Sequence, residues 1–402
     1  MASKNNGPSV NGGNQGLLAP WFMALSVSFF LVFSNVSFFY LYPVALDALG
    51  TSKTLIGWVM AIFSLATVLS RPLMGYLVAW NGERWTILWG VVLMMLASIS
   101  YVWVKGYGPL LLGIRIVHGI GFSAFVSGGF SLVARQVTPE RRAEAFGVVG
   151  ASLMAAVALA PPLGEILVHR GGFHLVFVAA ALSCLISLFA IAILPKKQTH
   201  IDSSQTRPPV RYVFLLKRSR AFIYLLVVTL IFSHSQSTVA NFVALAAKAK
   251  GAESGRFFFV SFALAIFILL SAGRVIERIG KFSVLRASYP WLALGVGLIP
   301  PFIGSNLFLI PALSFGSAMG LLFPTLNALA ADHGGQEEKP AIMAIFTAVY
   351  DTGFITGGLV SGIISHALGL DALFGLTGLL ALAGFIFLLV TAKGWRESQT
   401  MH

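Results

Sequence analysis

The 402-residue chain is 57% hydrophobic and only 10% charged, with a mean hydropathy of +0.85 and a formal net charge of +13. A soluble domain carries about 25% charged residues, so this composition excludes a water-exposed globular protein and points to one embedded in a bilayer. A single cysteine, Cys184, excludes an internal disulfide and a cysteine-cluster metal site, and leaves that residue a small apolar packing role.

The chain opens with a Gly/Asn/Ser-rich stretch, residues 1–18, that is expected to be a disordered tail. It is no signal peptide, because the apolar run that follows is too long and lacks a cleavage site. A membrane span needs about 20 mostly apolar residues. Twelve such stretches follow, at 19–43, 55–80, 85–104, 109–133, 144–168 and 174–194, then 221–246, 257–276, 284–303, 307–331, 341–368 and 371–391. A polar linker, 195–220, separates an N-terminal group (19–194) from a C-terminal group (221–392), and 393–402 forms a second tail. The runs are continuous, without the alternation of a β-barrel, and 41 glycines suit close helix packing. The expected fold is all-α and integral to the membrane, with twelve transmembrane helices in two pseudo-symmetric six-helix bundles.

Orientation follows from the basic residues. Lys53, Lys105, Arg170, Lys248, Lys250 and Arg256 fall on one side, and Arg71 and Arg115 lie within spans. Every other Lys and Arg falls on the side of the N terminus, so both termini are expected to be cytoplasmic in a multi-pass protein of the cell inner membrane. Topology thus accounts for the net charge, and no nucleic-acid partner is called for.

The segment SRPLMGYLVAWNGERWTIL, 70–88, places a charged hinge between spans two and three. GRVIERIGKFSVL, from Gly273, repeats it: Gly75 and Gly273, then Gly82 and Gly280, are each 198 residues apart, as are Gly164 and Gly362. A parallel repeat of six spans is a transporter architecture.

At this point the chain resembles the major facilitator superfamily over essentially everything after residue 18. The family's Gly-x-x-x-Asp-x-x-Gly-Arg-Arg loop is matched at Gly75, Gly82 and Arg84, with Ala79 in place of the Asp and Glu83 in place of a basic residue. The second copy supplies Gly273, the acid Glu277, Arg278 and Gly280. The resemblance implies a charged latch for the outward-facing state, its weight shifted to the second copy by loss of the first Asp. RIVHGIGFS resembles the Arg-x-x-Gln-Gly-x-Gly motif of proton-coupled members, with Arg115 and, for Gln, His118. AVALAPPLGE resembles the antiporter motif of span five through Pro161 and Gly164, with alanines for two glycines and Glu165 for the last. Similarity to bacterial drug and metabolite efflux members is implied.

The residues themselves give a parallel reading. Ionisable groups in hydrocarbon cost about 2.5–3.5 kcal/mol each and usually face a cavity or a partner. Asp351, about ten residues into its span at 1.5 Å per residue, is the deepest acid. A carboxyl group away from water can take up and release a proton near neutral pH, so Asp351 is either a proton-coupling site or a structural partner for an arginine. Arg115 and His118 join it as coupling candidates. Arg71 either snorkels to the inner surface or holds an inner gate. Glu165 and Asp47, near span ends, are expected to be solvated.

Asn35 and Tyr40 in span one, and His234, Gln236 and Asn241 in span seven, are expected to line a substrate cavity together with Arg71 and Arg115. The resemblance places spans one, four, seven and ten around it. Three cationic or basic positions beyond Arg71 against one deep acid favour an anionic or zwitterionic amphipathic substrate. No Gly-x-x-x-x-Gly-Lys-[Ser/Thr] loop and no clustered metal ligands are present, so neither an enzyme nor a cofactor is expected. The expected protein is a monomeric secondary transporter, an antiporter exchanging protons for a small molecule by alternating access. The alternative is a proton symporter taking up an organic acid, sugar or similar metabolite.

Overall fold

The computed structural model describes residues 17–138, 141–195, 220–271, 273–333, 338–392 and 395. The expected tails and linker therefore lie almost wholly outside the described residues. Among those residues every regular element is a helix. In chain order the helices are α1 (Pro20–Phe38), α2 (Tyr42–Ala48), α3 (Lys53–Asn81), α4 (Glu83–Ser100), α5 (Pro109–Gln136), α6 (Arg142–Gly171) and α7 (Phe173–Ile191). After the linker come α8 (Arg220–Ala249), α9 (Gly255–Ser271), α10 (Gly273–Ile279), α11 (Lys281–Gly297), α12 (Ile299–Phe302), α13 (Leu309–Ala331), α14 (Lys339–Leu368) and α15 (Leu370–Val390). A short 3₁₀ turn, Phe39–Leu41, fuses α1 to α2.

Ten of these rods are long and apolar enough to cross a membrane, among the described residues. The stretches expected at 257–276 and 284–303 fall short. Apolar α9 has 17 residues, about 26 Å at 1.5 Å per residue, and α10 follows it. The second stretch breaks at Leu298 before Pro300 and Pro301, since a proline interrupts the helical hydrogen-bond ladder.

Tight glycine joints reverse the chain. Gly82 (φ +85) and Gly280 (φ +89) each end one helix and begin the next, and Gly172 (φ +84) and Gly369 (φ +89) do the same further on. A side chain is strained at such φ values. The reversals put the start of α1, the Gly82 and Gly280 joints and the end of α15 on one face, called here the terminal face. Gly172 and Gly369 lie on the opposite, distal face.

Within the first six rods, α1 packs on α6 and α7, α4 on α5 and α7, and α3 on α5. Within the rest, α8 packs on α14 and α15, α13 on α9 and α11, and α11 on α15. The repeat spacing recurs to within one residue in these contacts. Gly119 presses on the Phe63 carbonyl, and Gly316 presses on that of Ser261.

Two lateral seams join the groups, α3 to α14 and α6 to α9. Small residues make the first seam. A methyl group on Gly57 would lie 2.5 Å from the Gly358 carbonyl oxygen and 2.7 Å from the Gly362 Cα, so the backbones touch. Gly353 and Gly357, on another side of α14, receive Ser233 and Ser237 of α8 in the same way. Large apolar side chains such as Leu69, Phe189, Phe267 and Val390 are exposed, as a lipid-facing surface requires.

Candidate functional site

The central site is built where the Phe39–Leu41 turn, α8, α9, α13 and α14 converge. Tyr40, Gln236, Val239, Ala240, Phe258, Phe262 and Phe315 line a small pocket. The Tyr40 and Phe258 rings lie 5.6 Å apart and connect the two groups of helices. Tyr350 donates from its hydroxyl to Gln236 Oε1 at 2.6 Å, which fixes the amide beside the pocket.

The next residue after Tyr350 carries the charge. Asp351 of α14 forms an ion pair with Arg71 of α3, and Arg71 Nη2 donates to Asp351 Oδ1 at 3.1 Å. The side chains are 30% and 14% exposed, respectively. Arg71 therefore does not simply snorkel: it bridges the α3–α14 seam. Removing either partner would strand a charge in a poorly hydrated place.

Arg115 and His118 occupy a separate, sealed compartment. Arg115 donates from Nε to the Val59 carbonyl at 3.0 Å and from Nη2 to Met60 Sδ at 3.0 Å. Its guanidinium carbon lies 5.2 Å from the centre of the Phe63 ring, and within about 6 Å of the Phe39 and Tyr42 rings. Expected in the cavity wall, Arg115 is 2% exposed in this structure, and its hydrogen bonds pin α5 to α3 near the distal face.

Asn35, also expected in the cavity wall, is fully buried in this structure. Its Nδ2 donates to Ser98 Oγ at 2.8 Å and to the Ala180 carbonyl at 2.7 Å, while Oδ1 meets His118 Nε2 at 2.8 Å. Asn35 Oδ1 can only accept, so His118 carries its proton on Nε2, which leaves Nδ1 facing the Tyr101 hydroxyl at 3.4 Å. These groups join α1, α4, α5 and α7 and do not border the pocket.

The polar face of α8 is divided. Gln236 faces the pocket. Ser237 donates to the Phe354 carbonyl at 2.8 Å, Thr238 meets Ser361 at 2.8 Å, and His234 Nδ1 lies 3.2 Å from Thr356 Oγ1. His234 thus holds α14, and Asn241 donates to Ser237 at 3.0 Å within α8 itself.

At the hinges, Gly82 and Gly280 make the turns, whereas Gly75 and Gly273 have open space around them. Arg84 donates to the Ala192 carbonyl at 3.1 Å, beyond the end of α7. Arg278 is exposed and the Glu277 side chain lies outside the described residues. Glu83, the departure from the loop pattern, is buried and pairs with Arg135 at 2.7 Å.

Sequence reasoning missed Glu165. Instead of being solvated, its carboxylate crosses to the N-terminus of α9. Oε1 accepts from the Ser254 backbone N–H at 2.7 Å and the Ser254 hydroxyl at 2.6 Å, and Oε2 accepts from the Gly255 N–H at 2.8 Å. Pro162 lies where a Gly255 side chain would go, and a methyl on Gly164 would strike Leu41. Pro161 sits inside α6 on the same stretch. The signal in the sequence was an acid nearly two turns from a helix end, facing an N-terminal Ser-Gly pair far away in the chain. Only the fold brings them together.

Comparison with known proteins completes the picture. The chain is 25% identical over 361 residues to the multidrug resistance protein MdtG of Escherichia fergusonii, covering 86% of each chain. It is 23% identical to a multi-drug resistance efflux pump PmrA homolog of Lactococcus lactis, covering 89% of this chain and 91% of that one. The crystal structure of the human organic anion transporter MFSD10 superposes with a TM-score of 0.65 at 17% identity, covering 92% of this chain and 99% of that one. The family model of the Major Facilitator Superfamily matches residues 24–271 and 254–400. With these relatives, a membrane-spanning helical fold and a pocket between two helix groups, the chain is a transporter and not an enzyme, and it belongs to the Major Facilitator Superfamily.

Proposed function

We propose that the protein is a proton-coupled antiporter that exports a small amphipathic molecule, working as a monomer in the inner membrane with both termini cytoplasmic. Twelve spans in two pseudo-symmetric bundles, 19–194 and 221–392, rock about the central pocket by alternating access. The observation that carries this reading is the Arg71–Asp351 pair, which links the two groups of helices one residue away from Tyr350, the hydrogen-bond partner of pocket-lining Gln236. Protonation of Asp351 removes its charge and releases Arg71. The seam then loses its strongest polar tie, so proton uptake and rearrangement of the halves are linked. Substrate contact at Gln236 acts on Tyr350 and thus on the same segment of α14.

The anionic or zwitterionic preference, read from Arg71, Arg115, His118 and His234, is weakened on the side of the arginines. The Arg71 charge is balanced by Asp351, and Arg115 is enclosed. The pocket offers aromatic faces, one amide and one phenol, which suits an aromatic amphipathic molecule without a required negative charge. The named relatives that are drug efflux proteins support export. The sealed Arg115–His118 compartment serves to hold α3 and α5 as a rigid unit rather than to carry protons.

The test compares cells expressing the wild type with cells expressing Asp351→Asn, profiling small molecules in cytosol and medium. A compound enriched in the medium only with the wild type establishes export and names the substrate class. A compound depleted from the medium instead makes uptake by symport the function.

A further inference from the structure

Glu165 is a charged side chain where α6 reaches across to the start of α9. All three of its hydrogen bonds are made to Ser254 and Gly255, which belong to the other group of helices. The α9 helix that it caps has 17 residues, and the free N–H groups of its first turn favour a negative charge there. The surroundings are tightly fitted, because Pro162 touches Gly255 with no room for a side chain. On the same distal face, α2 and the Phe39–Leu41 turn pack on α8, and Gly57 packs on Gly358 and Gly362. The distal face is closed in this structure, and Glu165 contributes a charged, partly buried tie to that closure beside the more exposed His169–Glu253 pair.

We infer that Glu165 is a proton-operated latch on the distal gate, closed when its carboxylate is ionised and released when it takes up a proton. The chemistry follows from the donor count. An ionised carboxylate accepts at both oxygens, which matches two N–H donors and one hydroxyl. A protonated one accepts more weakly, its O–H is opposed by the N–H groups and can be received only if the Ser254 hydroxyl turns to accept, and the attraction of a charge to the helix end is lost. This inference rests on the alternating-access reading, but it assigns a gating role and is separate from any proton carried at Asp351. Glu165 is thus a positioning residue that sets how readily the face opens at a given external pH.

Other groups on the elements around Glu165 also titrate or carry charge. These are Glu253 and Arg256 by α9, His169 and Arg170 of α6, Asp47 of α2 and His174 of α7. Glu253 acts on Glu165 electrostatically and is itself paired with His169 at 3.2 Å. His169 is therefore the group whose titration must be separated from that of Glu165.

The experiment uses the full chain in lipid nanodiscs, without substrate, carrying Cys184→Ser and spin labels at Tyr107→Cys and Leu307→Cys. Both labelled positions are exposed, on distal segments of opposite helix groups. Distances between the labels are measured from neutral to acidic pH. The expected result is a short distance at neutral pH that gives way to a longer one on acidification. Glu165→Gln should show the longer distance throughout, with the closed-to-open ratio reduced roughly tenfold or more. Ser254→Ala should shift the ratio part of the way, and His169→Ala should keep the pH response. A Glu165→Gln protein with the wild-type closed population and pH response overturns the inference, as does a pH response lost with His169→Ala alone. Because no substrate is present, a wrong choice of substrate or transport direction leaves this result unaffected.

Discussion

Placing one methyl group at Gly57 tests whether the α3–α14 seam is as close as the structure has it. In Gly57→Ala the new carbon would stand 2.5 Å from the Gly358 carbonyl oxygen, 2.7 Å from the Gly362 Cα and 3.1 Å from the Gly362 N. Unstrained contacts of this kind are about 3.5–4.0 Å, so the helices must part by about 1 Å. All the obstructing atoms are backbone, and no side chain can swing aside. Overpacking of this kind costs about 1–3 kcal/mol, which as a shift between two conformations is about 5–150-fold. The closed distal face should therefore lose population in favour of a state with α3 and α14 apart. The same spin-label pair reads this as growth of the longer distance at neutral pH. Gly75→Ala is the control: its methyl group meets nothing within 4 Å, and Ala is favoured over Gly in a helix by about 1 kcal/mol. An unchanged distance distribution in Gly57→Ala, with unchanged thermal stability, would refute the argument that backbone contact closes the seam.

The remaining predictions concern the buried polar groups. Asp351→Asn should abolish pH-driven transport in proteoliposomes while leaving substrate binding measurable, and should lower stability by about 1–3 kcal/mol because Arg71 loses its counter-charge; unchanged pH coupling removes Asp351 from the mechanism. Asn35→Ala should cost about 3 kcal/mol in thermal unfolding, since Ser98, Ala180 and His118 all lose a partner, yet leave substrate selectivity intact. Altered selectivity in a well-folded Asn35→Ala protein would return Asn35 to the cavity wall. Glu83→Ala should destabilise by about 2 kcal/mol, a value reduced by the 40% exposure of its partner Arg135. A neutral effect would show that the pair contributes nothing.

Much of the architecture was legible because a bilayer leaves few choices. Backbone groups in hydrocarbon must be satisfied within the chain, so long apolar runs in this sequence become helices with bounds near those read from hydropathy. The Gly82 and Gly280 joints were legible for a similar reason, since each breaks a helix at a φ that only glycine adopts easily. Two stretches were misjudged in length, where proline pairs and a glycine-started short helix interrupt apolar runs that hydropathy averages over.

The candidate site was legible as an inventory and not as an arrangement. Arg71 and Asp351 were both conspicuous as charges in apolar runs, but they are 280 residues apart, and nothing local pairs them. Asn35 and Arg115 were read as cavity residues from their polarity and from the spans that the family resemblance puts around the cavity, but helix periodicity does not say which side of a span faces a cavity and which a neighbouring helix. Glu165 shows the limit most clearly. Its composition and position suggested solvent, and its role depends on the N-terminus of α9 being brought to it from the other group of helices. By itself the sequence determined that this chain must be a helical membrane protein with a repeated design, because burial of the peptide backbone is dictated residue by residue. The tertiary structure alone decided which charges meet and which face is shut, because those depend on the packing of helices whose contacts join residues far apart in the chain.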